Sequence, residues 1–204
     1  MAEYVGFYWT RPVNWAGFRR LPKNVEQAAK LSKTIRYQCE RVRRWVEDEN
    51  GTVAGEFVFI ERDPDEATTA IRDELGKALT LCRTRRCSFV YVDFGHVKLW
   101  RRHRYMWEML RESGVPIINL EPHGLTIDGK WFDPIGHFER WRENEAHWRG
   151  EHRNEVLQAV ADALKAIPAG RGRYKAIAAY LSERGMTTIM GREWDEDNVR
   201  KFLE

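Results

Sequence analysis

The closing stretch of the chain carries residue types that suit nucleic-acid recognition. Arginine and asparagine can read base edges in the major groove of DNA, whereas lysine and arginine hold its phosphates. Three short helical patterns with a turn between the last two are typical of a helix-turn-helix, and with these residue types they predict that residues from about Arg171 onward make the principal contacts with double-stranded DNA. The candidate side chains are Arg171, Arg173, Lys175, Arg192, Asn198, Arg200 and Lys201. The basic segment "AGRGR" suits either an arm in the minor groove or a solvated linker.

Two other sets of residues could carry chemistry of a different kind. Asp93 and His96 follow an apolar run and could act as acid and base at a sheet edge, but no third partner accompanies them. His137, His147 and His152 are spaced by ten and five residues, which does not fit the i, i+4 spacing of helical metal ligands. We therefore set a hydrolase aside, and we predict neither a metal nor another cofactor.

The overall composition is globular and nearly balanced in charge. The 204 residues are 43% hydrophobic and include nine tryptophans, and a net charge of +3 does not by itself indicate a polyanionic partner. We find no signal-peptide pattern and no long apolar run, so we expect a soluble cytoplasmic protein that does not enter a membrane. Cys39, Cys82 and Cys87 lack paired CxxC spacing, and we expect buried or incidental thiols.

Four strand patterns alternate with helix patterns along the first part of the chain. The strands are "EYVGFYW", "TVAGEFVFIE", "CSFVYVDF" and "VPIINLE", and the third is apolar enough for burial on both faces. Apolar residues recur at helical spacing over residues 25–48, 69–84 and 101–113. This alternation predicts an α/β fold with a mainly parallel sheet flanked by helices.

A long helix and two short helices are predicted for the rest of the chain. Asp133 and Pro134 form an N-cap and first-turn pair, and the helix runs about 33 residues if Gly150 does not break it. Its apolar stripe requires a partner, either a second subunit or a later segment of this chain, and we expect a homodimer or higher oligomer. The stripe consists of Phe138, Trp141, Trp148, Val156 and Val160. The predicted parts are residues 1–133, the linking and dimerisation helix 134–168, and a small helical unit 169–204.

One run near the end of the chain has a distinctive spacing, Ile177-Ala178-x-x-Leu181-x-x-x-Gly185-x-x-Thr188-x-x-Gly191-x-x-Trp194-x-x-x-x-Val199-x-x-x-Leu203. It resembles the region that follows the catalytic domain in serine recombinases, the resolvase and invertase group. Upstream, "VGFYWTR", "GEFVFIE" and "LRESGVPIINL" are similar to segments of the same family in order and spacing. The resemblance implies a resolvase-like α/β domain followed by a helix-turn-helix-like unit that reads DNA.

The first catalytic motif of that family is altered in this chain. In an alignment without gaps from Val5, the family's tyrosine falls on Phe7, its arginine on Trp9 and its nucleophilic serine on Arg11. Thr10 is the only hydroxyl residue at this point, and it lies one position away from the serine. In a continuing strand its side chain would therefore point to the opposite face of the sheet.

The second family motif contains an aspartate and two arginines. The arginines neutralise the phosphate under attack. Counting back from a matching helix end places the aspartate near Asp93 and the two arginines on Phe94 and Val97. Matching by content instead keeps the arginines as Arg101 and Arg104, but shortens the helix that follows. We prefer the first alignment because strand and helix lengths are hard to compress.

These departures lead to a functional expectation with two alternatives. Attack on a phosphodiester needs an activated hydroxyl and preorganised cations, and the altered motifs supply neither. We expect a resolvase-like DNA-binding protein that lacks catalytic activity and serves as a regulator or accessory factor in site-specific recombination or mobile-element biology. The alternatives are an active recombinase with a displaced nucleophile, and an α/β module that binds a protein or small ligand and has no role on DNA.

Overall fold

The chain folds around a four-stranded, all-parallel sheet. This computed structural model describes residues 1–63, 66–95 and 102–204. The sheet comprises β1 (Glu3–Thr10), β2 (Thr52–Ile60), β3 (Ser88–Val92) and β4 (Ile117–Leu120), in the order β2-β1-β3-β4. The predicted parallel α/β architecture is therefore confirmed, and each strand lies within or one residue beyond its predicted run.

Seven α-helices lie among the described residues. They are α1 (Val25–Leu31), α2 (Lys33–Asp48), α3 (Ile71–Arg85), α4 (Arg104–Glu112), α5 (Pro134–Ala166), α6 (Arg173–Glu183) and α7 (Glu196–Leu203). A short 3-10 helix, Asn14–Ala16, follows β1, and an antiparallel hairpin joins β5 (Leu125–Ile127) to β6 (Lys130–Phe132). No helix in the described part of the chain is both long and apolar enough to cross a membrane.

The chain divides into two compact units. Unit 1 comprises residues 1–12 and 18–141, and unit 2 comprises residues 13–17 and 142–204. The division falls within α5, whose predicted length of about 33 residues is confirmed at 33 residues, with Gly150 inside it.

The sheet in unit 1 is buried on both faces. Tyr8 of β1 packs in one core with Ile35 and Val42 of α2. Phe7 and Trp9 point to the opposite core, which contains Leu75 and other residues of α3 and α4. Because successive side chains of a strand alternate between faces, β1 must supply apolar residues to both cores.

Two local features differ from the sequence prediction. Residues 25–48 form two helices because Ser32 adopts an extended backbone, and its hydroxyl oxygen accepts a hydrogen bond from the Ile35 N–H at 3.3 Å. The hairpin was not predicted. It turns at Asp128 and Gly129, which have φ angles of 49° and 74°, as a tight two-residue hairpin turn requires.

The apolar stripe of α5 is largely covered by the chain itself. Phe138 is buried in a core of unit 1, whereas Val156 and Val160 are buried in the core of unit 2. Trp148 stacks on His152 with 4.4 Å between ring centroids. The alternative of an intrachain partner thus accounts for most of the stripe, and the stripe no longer argues for an oligomer.

The end of α3 offers a test of how local conformation limits stability. Arg86 ends this helix with a φ of 56°, in a left-handed conformation that glycine adopts more readily than a residue with a Cβ atom. We expect Arg86→Gly to raise the free energy of unfolding by about 0.5–1 kcal/mol, measured by urea titration.

Asn50 is the matched control for this substitution because it has a φ of 52° at the end of another helix. Asparagine tolerates the left-handed region, so Asn50→Gly should change the free energy of unfolding by less than about 0.5 kcal/mol. A larger gain for Asn50→Gly than for Arg86→Gly would refute the explanation.

Candidate functional site

The end of β1 is the place where the resemblance puts the first catalytic arginine. Trp9 occupies that position and is 4% exposed. Its backbone N–H donates to Gln38 Oε1 at 3.2 Å, and Gln38 Nε2 donates to the Trp9 carbonyl at 2.8 Å. The indole ring meets His103 edge-on, with centroids 5.2 Å apart. The position thus belongs to the core and supplies no cation.

Thr10 is the hydroxyl residue nearest to the expected nucleophile. Its side chain is buried, and its Oγ1 lies 3.5 Å from the Arg11 carbonyl, to which it donates. Its own carbonyl accepts the Glu61 N–H at 2.9 Å, which continues the sheet beyond β1. A buried hydroxyl that donates to a carbonyl is not poised for attack on a phosphodiester. Arg11, at the position of the family serine, is half-buried and directly follows the strand.

The expected positions of the second motif are only partly described. Asp93 accepts the Gly95 N–H at 2.8 Å on its Oδ1. Phe94 is 2% exposed and packs edge-on against Phe138, with centroids 5.0 Å apart, so it is a core residue. Arg104 begins α4 and places its guanidinium 4.5 Å from the centre of the Tyr105 ring. Three further predicted residues, His96, Val97 and Arg101, lie outside the described residues.

A small pocket lies beside these residues at the carboxyl end of β3. Its volume is about 30 Å³, and its polar lining residues include Asp93, Arg102 and His103. Sites for organic ligands usually reach roughly 300 Å³ or more, so this pocket is on the scale of a few water molecules.

A buried contact between Glu61 and His103 stabilises this edge of the sheet. The sequence did not predict it. Glu61, directly after β2, lies 2.6 Å from His103 Nε2 through its Oε2, and both side chains are at most 1% exposed. His103 Nδ1 accepts the Met106 N–H at 3.3 Å and thereby caps α4. This assigns the proton to Nε2, which donates to Glu61. Histidine is not a usual helix cap, so the sequence carried no signal for this role.

Glu61 is also hydrogen-bonded by its own loop. It accepts from the Arg62 N–H at 2.6 Å and from the Thr68 N–H at 2.9 Å, and the Thr68 hydroxyl donates to it at 2.5 Å. Burial opposes the negative charge, but the bonds from His103, Thr68 and Arg62 outweigh burial and lower the pKa of Glu61. Every lone pair of this carboxylate is engaged, so its role is to fix the loop and α4 in place.

Replacing this carboxylate should cost stability in a pH-dependent way. Glu61→Gln places an amide opposite several N–H and O–H donors, and we expect a loss of about 3 kcal/mol in the free energy of unfolding near pH 7. Because folding lowers the pKa of Glu61, its charge contributes above the ordinary value of about 4.3 and is lost as pH falls through the folded value.

Urea titrations of wild type and Glu61→Gln at several pH values check this expectation. The difference in the free energy of unfolding between wild type and Glu61→Gln should decrease below about pH 4. Exposed Glu66, in the same loop, provides the control, and Glu66→Gln should change stability by less than about 0.5 kcal/mol. If the difference in the free energy of unfolding did not change with pH, this would contradict a structural role for the Glu61 charge.

Unit 2 is built from the end of α5 packed with α6 and α7. Val160 and Ala163 of α5 are buried with Ile177 and Leu181 of α6 and with Val199 of α7. Trp194, in the connector between the last two helices, is also buried in this core. Neither short helix could bury its apolar face alone, so all three helices are needed for this core.

Two of the seven predicted DNA-contacting residues serve as helix caps. Arg173 donates through Nη2 to the Leu164 carbonyl at 3.0 Å and through Nε to the Ile167 carbonyl at 3.2 Å, at the end of α5. Asn198 exchanges hydrogen bonds with Asp195, whose side chain caps α7 as predicted. Both side chains therefore form hydrogen bonds within the folded chain.

The other five predicted residues are exposed. Arg171 and Lys175 lie at the beginning of α6, whose first turn contains no acidic residue. Arg192 lies in the connector before α7. On α7, Arg200 pairs with Asp197 at 2.6 Å, and Lys201 is its neighbour in sequence. The fold therefore places cations at the N-terminus of α6 and in the last turn of α7.

His152 ties the connector to α5. It is 7% exposed, its Nε2 lies 3.1 Å from Thr187 Oγ1, and its Nδ1 lies 3.2 Å from Glu155 Oε2. His147, by contrast, points to solvent. Sequence spacing alone could not show the difference, because the partner of His152 is 35 residues away.

Comparisons with known proteins add no assignment to these observations. The chain matches no protein-family model, and neither a curated protein nor a solved structure matches it significantly.

Proposed function

We propose that this chain is a resolvase-like DNA-binding protein that does not cut DNA and acts as a regulator or accessory factor in site-specific recombination or mobile-element biology. The observation that carries the proposal is a folded three-helix unit with Arg171 and Lys175 exposed at the N-terminus of α6. Backbone N–H groups and cations at a helix N-terminus favour phosphate oxygens. The altered catalytic positions support the absence of cleavage.

The distribution of charge limits which residues of unit 2 can bind DNA. Residues 142–204 contain eleven Lys and Arg and eleven Asp and Glu, so this part of the chain has no net charge to attract DNA from a distance. Attraction must come from local segregation of charge. The first turn of α7 contains Glu196 and Asp197, which repel phosphates, whereas the first turn of α6 contains no acid.

We therefore assign phosphate contacts to the beginning of α6 and to the last turn of α7. The proposed contacts are Arg171, Lys175, Arg192, Arg200 and Lys201. Arg173 and Asn198 are left out because their side chains cap helices. In a helix-turn-helix arrangement one helix enters the major groove while others contact the backbone. The acidic start of α7 favours a backbone-dominated contact for this unit.

The side chains at the end of β1 support the absence of cleavage. A recombinase-type attack requires a nucleophile near the phosphorus and cations around its oxygens. Trp9 and Thr10 are both 4% exposed, and Trp9 packs against His103. Phe94 is likewise a core residue, so two of the family's cation positions hold buried aromatic rings.

Charge reversal at α6 tests the DNA-binding surface. Lys175→Glu should weaken binding to a mixed-sequence duplex by roughly tenfold at low salt, because it removes a phosphate contact and adds repulsion. Mobility-shift titration measures the affinity. Lys30→Glu, on the exposed surface of α1, is the control with the same change in charge.

Equal weakening by the two substitutions would show that DNA responds only to net charge and would reject the assigned surface. Point substitutions are preferable to deletion of residues 169–204. That deletion would uncover Val156, Val160 and Ala163 and disrupt the core of unit 2.

The absence of catalysis has its own test. Wild type incubated with supercoiled plasmid should leave no covalent protein-DNA adduct on a denaturing gel, and Thr10→Ala should behave identically. An adduct that forms with wild type and disappears with Thr10→Ala would establish an active recombinase and refute this part of the proposal.

A further inference from the structure

Two cysteines meet where α3 ends and β3 begins. Cys82 lies in the last turn of the helix and Cys87 immediately precedes the strand, and they are 1% and 5% exposed. The Cys87 N–H donates to the Cys82 carbonyl at 3.0 Å, and the Arg86 N–H donates to the Arg83 carbonyl at 3.4 Å. With Arg86 left-handed, this is a Schellman motif, in which the side chains at the two outer positions come into contact.

The contact at these two positions is made by thiols. The backbone hydrogen bonds of this motif bring the Cys82 and Cys87 side chains together, and both belong to the same core. Burial raises the pKa of Cys82 to about 12, with a further contribution from Cys87. Cys39, the third cysteine, is buried in the core on the other face of the sheet.

We propose that Cys82 and Cys87 form a redox-sensitive pair that a peroxide oxidises to an intramolecular disulfide. Cys87, the more exposed of the two, loses its thiol proton and attacks one peroxide oxygen as its thiolate. The O–O bond breaks, a sulfenic acid forms, and the released hydroxide takes up the proton to become the first water. The Cys82 sulfur then attacks the Cys87 sulfur and forms the S–S bond, and the displaced hydroxide takes the Cys82 proton to become the second water. Two thiols and one peroxide thus yield one disulfide and two waters.

The local structure explains how a buried pair becomes reachable. A residue with a Cβ atom in the left-handed conformation weakens the helix end at Arg86, and this end must open to expose the sulfurs. Arg83, Arg85 and Arg86 are exposed around the pair, and their charges favour a thiolate once the end has opened. This inference is independent of DNA binding.

A peptide map of the full-length chain tests the bridge directly. Folded protein is treated with a slight excess of hydrogen peroxide, its remaining thiols are alkylated, and it is digested with trypsin without reduction. Trypsin cuts after Arg83, Arg85 and Arg86, so Cys82 and Cys87 fall in different peptides. We expect one disulfide-linked peptide pair that disappears when dithiothreitol is added.

Two variants distinguish this bridge from general oxidation. Cys39→Ser should give the same linked pair, whereas Cys82→Ser should lose it completely and leave Cys87 as a sulfenic or higher acid. The map of wild type decides the matter even if a variant does not fold. Recovery of Cys82 and Cys87 as separate alkylated peptides, or a bridge that includes Cys39, would overturn the proposal.

Discussion

β1 is buried on both faces, and the helices of unit 1 pack against it from two sides. A central strand in a parallel sheet has no face toward water, so every side chain must fit one of two cores. Trp9 fills the core on the α3 and α4 side, where it meets His103, and Glu61 holds His103 in place. Gln38 bonds to both backbone groups of Trp9 from the other side. The strand end is therefore locked by packing and hydrogen bonds.

The packing and hydrogen bonds at the end of β1 bear on the proposed absence of cleavage. Catalysis at the end of a strand requires polar groups that reach solvent and remain free to meet a substrate. Among the described residues at this strand end, the Glu61 carboxylate accepts four hydrogen bonds and the His103 side chain caps α4. We infer that the sheet domain serves as a scaffold, and that recognition falls to exposed cations of the three-helix unit.

Much of the fold was predictable because local patterns and global packing agree. The apolar run that became β3 and the 33-residue α5 were both evident from periodicity and capping residues. The break at Ser32 was missed because the apolar pattern continues across it, and the hairpin was missed because each of its strands has only three residues.

The candidate sites were harder to predict because their contacts are distant in sequence. Glu61 and His103 are 42 residues apart, and His152 and Thr187 are 35 apart. Composition identified the basic residues of the closing stretch, but only the fold separates those that cap helices, such as Arg173, from those that face solvent, such as Lys175. Periodicity reports which face of an element is buried and carries no information about such pairings.

A phosphate-binding role for the beginning of α6 can be tested by the salt dependence of DNA affinity. Each phosphate contact adds about 0.9 to the slope of log affinity against log salt concentration. Replacing both Arg171 and Lys175 with alanine should lower the slope by about 2 and leave thermal stability unchanged. An unchanged slope, or an affinity of wild type that does not depend on salt, would contradict a phosphate-binding role for α6.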